Sequence, residues 1–174
     1  MAIREKVEQL LTPDEQLSSI YELNLGYLQK KGIKGLVFDV ENTLLAPWEK
    51  NPSIKCVDWL KSIQGYGFKV CLLSNDRNVE RVTAFAKLFN VPAMHSALKP
   101  FTWSLSKAIA EMLVLKPAEV AVIGDTLLTD ILPGNWLSAH TILVDPIAEH
   151  QDPMFDWLTR RTGKALAKVI TRKR

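Results

Sequence analysis

Acidic and hydroxyl residues recur where the chain would turn out of a sheet. Asp39 follows the apolar run Leu36-Val37-Phe38, and Glu41, Asn42 and Thr43 come directly after it. Ser74-Asn75-Asp76 follows a second apolar run, FKVCLL, and Lys99-Pro100 comes shortly after PAMHS. Gly124-Asp125 closes the run VAVI, and Thr129-Asp130 follows about one helical turn later. Several carboxylates with no histidine or cysteine among them favour a hard, oxygen-liganded cation, Mg²⁺ ahead of Zn²⁺. A lysine and a serine hydroxyl in the same set suit a dianionic phosphoryl group, whose charge the cation and the lysine would offset together. With no Ser-His pair at these positions, the obvious nucleophile is a carboxylate. Aspartate can form an acyl-phosphate and so divide one hard displacement into two easier ones. Asp39 is best placed for that step, and a second carboxylate nearby can move protons.

Such residues work together only if the elements carrying them end at one place. Short apolar, β-branched or aromatic runs at 34–39, 68–74, 92–96, 120–125 and 141–145 read as strands. Amphipathic stretches at 53–64, 78–89, 102–114 and 126–132 read as helices. In the first of these, Ile54, Val57, Leu60 and Ile63 fall on one side. Residues 12–32, TPDEQLSSIYELNLGYLQKKG, read as a further helix, with Thr12 as cap, Pro13 in the first turn and Gly32 at the stop. Strands alternating with helices predict an α/β architecture, a parallel sheet covered on both faces. In such sheets ligands sit beyond the carboxyl ends of the strands, where the residues above would lie.

Bulk properties set the outer limits. A chain of 174 residues, 47% of them apolar, suits one domain with a real core. The expected organisation is a single domain over 1–174, with an N-terminal helical segment at 1–33 and a basic helix or tail at 157–174. Two cysteines, Cys56 and Cys71, are too few for a disulfide framework and point to buried, reduced thiols. The opening residues MAIREKVEQLL lack the apolar core of a secretory signal, and no run approaches a membrane span. The expectation is a cytoplasmic protein, soluble or peripheral on the inner face of a membrane.

The segments DVENT, LLSN, LKP and GDTLLTD, in this order and each after an expected strand, resemble the four signatures of the haloacid dehalogenase (HAD) superfamily of phosphotransferases. GIKGLVFDVENTLL and GDTLLTDILPGNWLSAHTILVDPI are similar to the YqeG-type branch, which is related to phosphatidylglycerophosphate phosphatases; the similarity covers about residues 15 to 150. It implies a Rossmann-like HAD fold of five parallel strands, the first near the middle. It also implies a Mg²⁺-dependent phosphomonoesterase acting through an aspartyl-phosphate, with a lipid phosphate such as phosphatidylglycerophosphate as substrate. By position, Asp39 would be nucleophile and metal ligand. Glu41 would be the acid/base and lend its backbone carbonyl to the metal, and Thr43 would support the loop. Ser74 would bind the phosphoryl group and Asn75 would shape its pocket. Lys99 would hold the nucleophile and phosphoryl charges. Asp125 would be the main acidic metal ligand, with Asp130 ligating directly or through water. Between Thr43 and Ser74, and between Asn75 and Lys99, there is no room for the large cap domain that small-metabolite HAD enzymes insert. An open site suits a substrate whose bulk stays outside.

Two features qualify this reading. The superfamily pattern has Asp where this chain has Glu41. One more methylene moves the carboxylate by about 1 Å, and misplacement on that scale can cost on the order of 100-fold in rate. The expectation is retained metal and phosphate binding with slowed chemistry, and faster turnover in Glu41→Asp, unless the loop at Ala46-Pro47-Trp48 re-aims the longer arm. A catalytically weakened phosphate- or partner-binding protein is the corresponding alternative. The other feature is charge. From Trp157 onward there are seven Lys/Arg and no acid, leaving 15 basic against 19 acidic residues elsewhere. Such a tail could dock as a solvated last helix, touch an anionic membrane, or recruit the domain to RNA or a ribosomal partner, with nucleic acid ranked last. A monomer is expected. His95, His140 and His150 have no metal-ligand spacing and read as surface or satisfied core residues.

Overall fold

The computed structural model describes residues 3–75, 79–95, 102–112 and 116–148. Lys99, Asp76, His150 and the basic tail therefore lie outside the described residues. The strands are β1 (Glu15–Leu17), β2 (Gly35–Asp39), β3 (Lys69–Leu73), β4 (Ala93–Met94), β5 (Val120–Gly124) and β6 (His140–Val144). The helices are α1 (Ile3–Leu11), α2 (Leu25–Lys30), α3 (Ile54–Gly65), α4 (Val79–Phe89), α5 (Thr102–Glu111) and α6 (Leu132–Trp136). All strand pairings are parallel, in the order β1-β6-β5-β2-β3-β4.

Buried parallel strands present alternate residues to two cores. Leu36, Phe38, Val70, Leu72, Ala121 and Ile123 face one core, where Cys56, Leu60 and Ile63 of α3 and Phe85, Ala86 and Phe89 of α4 pack. Val37, Cys71, Leu73, Val120 and Val122 face the other, covered by Leu105, Ala108 and Ile109 of α5. Ser53 caps α3 by accepting from the Cys56 N–H at 3.2 Å, and Gly67, at φ +87°, turns the chain into β3. Trp59 packs edge-on against Phe38 and Tyr21.

Among the described residues the sheet has six strands, not five. The extra one comes from the segment expected to be a helix over 12–32. Thr12 ends α1, its hydroxyl donating to the Glu8 carbonyl at 2.7 Å, instead of capping a new helix. Asp14 then bonds Thr141 through main chain and side chain: its N–H donates to the Thr141 carbonyl at 3.0 Å, and its Oδ2 accepts from the Thr141 N–H at 2.8 Å and hydroxyl at 3.2 Å. This zips Glu15–Leu17 onto the free edge of β6, a tertiary gain that overrides the local helix signal. A short 3-10 turn at Ile20–Glu22 and α2, capped by Asn24 and stopped at Gly32, use the rest. His140 is buried against Asp14 and Glu15. Ile54, expected on the apolar side of α3, is 81% exposed, because it opens the helix beyond the sheet edge.

Among the described residues the crossover from β2 to β3 holds one loop and α3, and the next holds α4, with no cap domain in either. Among the described residues no helix is long and apolar enough to cross a membrane.

Candidate active site

Central β2 sets the geometry. It lies between β5 and β3, with Phe38 opposite both Ile123 and Leu72, so Asp39 emerges beside Gly124-Asp125 on one side and Ser74 on the other. Carboxylate oxygens of Asp39, Asp125 and Asp130 lie within 4.8 Å of one another. Asp39 and Asp130 are buried, and so is Ser74 at the end of β3. Asn75 is exposed at the rim, and Glu41 is 41% exposed. The structure thus brings Asp39, Glu41, Thr43, Ser74, Asn75, Asp125 and Asp130 to one edge.

Each is held from its own element. Asp130 comes from a π-helical turn over Leu127–Ile131, a wide turn often found at functional sites. Its Oδ2 accepts from the Thr126 N–H and the Thr129 hydroxyl, both at 3.2 Å. The absence of a side chain at Gly124 makes room for it: a Cβ there would stand 2.3 Å from the Asp130 Cγ. Thr43 donates to Asp125 Oδ1 at 3.4 Å, joining the β2 loop to the β5 loop.

Two residues that the sequence did not single out complete the loop. Asn42 sits at φ +59°, a left-handed conformation that asparagine tolerates better than most residues. Its N–H donates to the Leu45 carbonyl at 2.7 Å, closing the turn. Its carbonyl accepts from the Ile147 N–H at 2.8 Å and its Oδ1 from the Ala148 N–H at 3.3 Å, so the chain after β6 clamps it. Arg81, in the first turn of α4, has a side chain only 12% exposed; its Nη1 lies 3.9 Å from Glu41 Oε1 and its Nη2 donates to the Ala46 carbonyl at 3.1 Å. A cation in the first turn opposes the helix dipole, and that was its one sequence signal.

Three ionised carboxylates this close repel by about 3 to 4 kcal/mol per pair at an effective dielectric of about 20. Little solvent reaches two of them, and the donor set is all oxygen. The residues therefore fit a hard divalent cation.

The rim is apolar. α3 ends four residues before β3 begins, so its start lies at the carboxyl edge of the sheet, as do the starts of α4 and α5. Ile54 and Val79 open two of these helices and Trp103 is the second residue of the third; all are exposed, and so is Trp48 in the loop after Asp39. Two hollows of about 270 and 260 Å³ lie instead at the amino ends of the strands, around Phe68, and take no part in the site.

A parallel sheet with this carboxylate cluster at the end of its central strand suits a phosphatase of the HAD superfamily, and the relatives of this chain put it in that class. The sequence pattern of the family described as mitochondrial PGP phosphatase matches residues 4–148, and the chain belongs to that family. It is 32% identical over 168 residues to the Bacillus subtilis (strain 168) protein named "Probable phosphatase YqeG", covering 96% of this chain and 95% of that one. It is 25% identical over 179 residues to phosphatidylglycerophosphate phosphatase 1, chloroplastic/mitochondrial, of Arabidopsis thaliana, covering 97% of this chain and 50% of that protein. In fold it is similar to a Legionella pneumophila structure assigned to subfamily III A of the HAD hydrolases. The TM-score is 0.52 at 18% identity, over 88% of this chain and 79% of that one.

Proposed function

We propose that this phosphatase hydrolyses a lipid-borne phosphomonoester, with phosphatidylglycerophosphate as the substrate, through an aspartyl-phosphate on Asp39 and with Mg²⁺. The observation that carries the reading is the convergence of Asp39, Asp125 and Asp130 beside buried Ser74. In the first step an Asp39 carboxylate oxygen forms a bond to phosphorus as the P–O ester bond breaks. Glu41 gives its proton to the departing alkoxide. In the second step Glu41 takes a proton from water, whose oxygen attacks phosphorus, releasing phosphate and restoring Asp39. Ser74 hydrogen-bonds the transferred group, Asn75 and Thr43 shape and brace its pocket, and Lys99 offsets the charge on nucleophile and phosphoryl group. Asp39, Asp125, Asp130 and the Glu41 carbonyl would hold Mg²⁺, which supplies positive charge against the three carboxylates and the phosphoryl oxygens.

The lipid part of the reading is supported by the name of the Arabidopsis relative, by crossovers with no room for a cap and by the exposed Trp48, Ile54, Val79 and Trp103 at the carboxyl edge. Tryptophan suits the boundary between headgroups and acyl chains. The seven cations that follow Trp157 would add attraction to an anionic surface, holding the protein peripherally on it.

The test is phosphate release with Mg²⁺ from phosphatidylglycerophosphate, sugar phosphates, phosphopeptides and p-nitrophenyl phosphate, comparing wild type with Asp39→Asn. Release should be greatest from the lipid, vanish in Asp39→Asn and stop on chelation. Preference for a soluble phosphate would remove the lipid substrate. Phosphate binding without Asp39-dependent release would leave a binding protein in its place.

A further inference from the structure

We infer that Arg81 is the positioning residue that lets glutamate serve at position 41. This rests on the acid/base role proposed for Glu41. The loop after β2 folds on itself: Leu44 and Leu45 N–H groups both donate to the Val40 carbonyl, at 3.0 and 2.9 Å, and Glu41 and Leu45 pair as an isolated bridge. At its far end the Ala46 N–H donates to Glu49 Oε2 at 2.8 Å. Arg81 reaches this loop from another crossover and grips it at both ends, the Glu41 carboxylate and the Ala46 carbonyl.

A guanidinium can do this because its five N–H groups form a rigid fork. Burying a guanidinium is costly unless its charge is met, and Glu41 is one carboxylate that a nearly buried Arg81 faces. The 3.9 Å separation is a charge pairing, loose enough for the carboxylate to turn toward a substrate while its direction is set. The longer glutamate arm extends toward Arg81 from a position held in the turn by its bridge to Leu45. An aspartate there would stand about 1 Å further from the guanidinium than glutamate does. The loop at Ala46 is thus the device that re-aims the arm, and Arg81 is what fixes it.

The experiment compares the parent protein with Glu41→Gln, Arg81→Gln and the double variant in steady-state phosphate release from p-nitrophenyl phosphate with Mg²⁺, with Asp39→Asn as the blank. Arg81→Gln should lower kcat about 10- to 100-fold and leave KM within about 2-fold. The double variant should be no slower than Glu41→Gln alone, because Arg81 acts through the group already lost. Arg81→Lys, which keeps the charge and loses the fork, should recover part of kcat and also covers the case in which Arg81→Gln does not fold. Glu41→Asp should lower turnover. Losses that multiply, a KM effect without a kcat effect, or faster turnover in Glu41→Asp would each overturn the role given to Arg81. Absence of Asp39-dependent release in the parent overturns instead the phosphatase mechanism on which that role depends.

Discussion

Gly124→Ala puts the close packing of the site to a direct test. The added Cβ would lie 2.3 Å from Asp130 Cγ, 2.5 Å from its Oδ2 and 2.6 Å from its Cβ, whereas ordinary contact begins at 3.4 Å. Relief requires Asp130 to retreat by about 1.1 Å, a scale at which misplacement costs on the order of 100-fold. Asp130 has little freedom to do so cheaply, being buried and held by Thr126 and Thr129. Overpacking of this kind costs about 1 to 3 kcal/mol in stability, which most domains survive. Phosphate release measured across a Mg²⁺ titration should therefore show kcat/KM down about 100-fold and the half-saturating Mg²⁺ raised, in a protein that still unfolds cooperatively. Gly124→Ala with activity and Mg²⁺ dependence within about 3-fold of wild type would refute the reasoning, since a 1 Å displacement at the site should be felt.

Other outcomes follow from single contacts. Asn42→Ala must place a Cβ-bearing residue without asparagine's local bonding at φ +59°, at about 1 to 2 kcal/mol, whereas Asn42→Gly loses mainly the bond to Ala148. Urea unfolding should therefore rank Ala below Gly, and equal midpoints would contradict the strain argument. Burial pushes the Cys56 thiol up to about 11 and the Cys71 thiol up to about 12. Iodoacetamide at pH 8 should label neither thiol in the folded protein and both after unfolding; native labelling would show that the thiols are not buried. Because an unfolded thiol ionises near 9 and the folded ones do not, stability should fall as pH rises above 9, which midpoints at pH 8 and 10 would check. Replacing Trp48 and Trp103 by serine should lower turnover of a phospholipid in vesicles severalfold and leave p-nitrophenyl phosphate unaffected. Equal effects on both substrates would remove the rim from lipid handling. A liposome-flotation comparison with the chain cut at Trp157 should show weaker binding to anionic vesicles, and unchanged binding would sink a membrane role for the tail.

Much of the site was legible because its residues follow strands. A run such as LVFD or VAVIGD marks both the strand and the place where it ends, so Asp39, Ser74 and Asp125 could be set at one edge without coordinates. Asp130 was legible from its spacing, although the π-helical turn that aims it was read as ordinary helix. Residues 12–32 misled because Thr-Pro-Asp is a good helix start locally, and only the distant edge of β6 makes Glu15–Leu17 a strand. Arg81 and Asn42 were missed for a related reason. Their roles lie in contacts between crossovers, with the loop at Ala46 and with the chain at Ile147, and no local pattern records these.

The edge strand also bears on how the protein is made. β1 is made well before β6, yet among the described residues β6 is the strand it pairs with, and Asp14 and Thr141 are 127 residues apart. β1 must wait for β6 before it can settle. Contacts of such long range slow folding, and the edge of β6 stays open to strangers until β1 arrives. A chain shortened past Leu17 would keep every carboxylate of the site and still be prone to self-association along that edge.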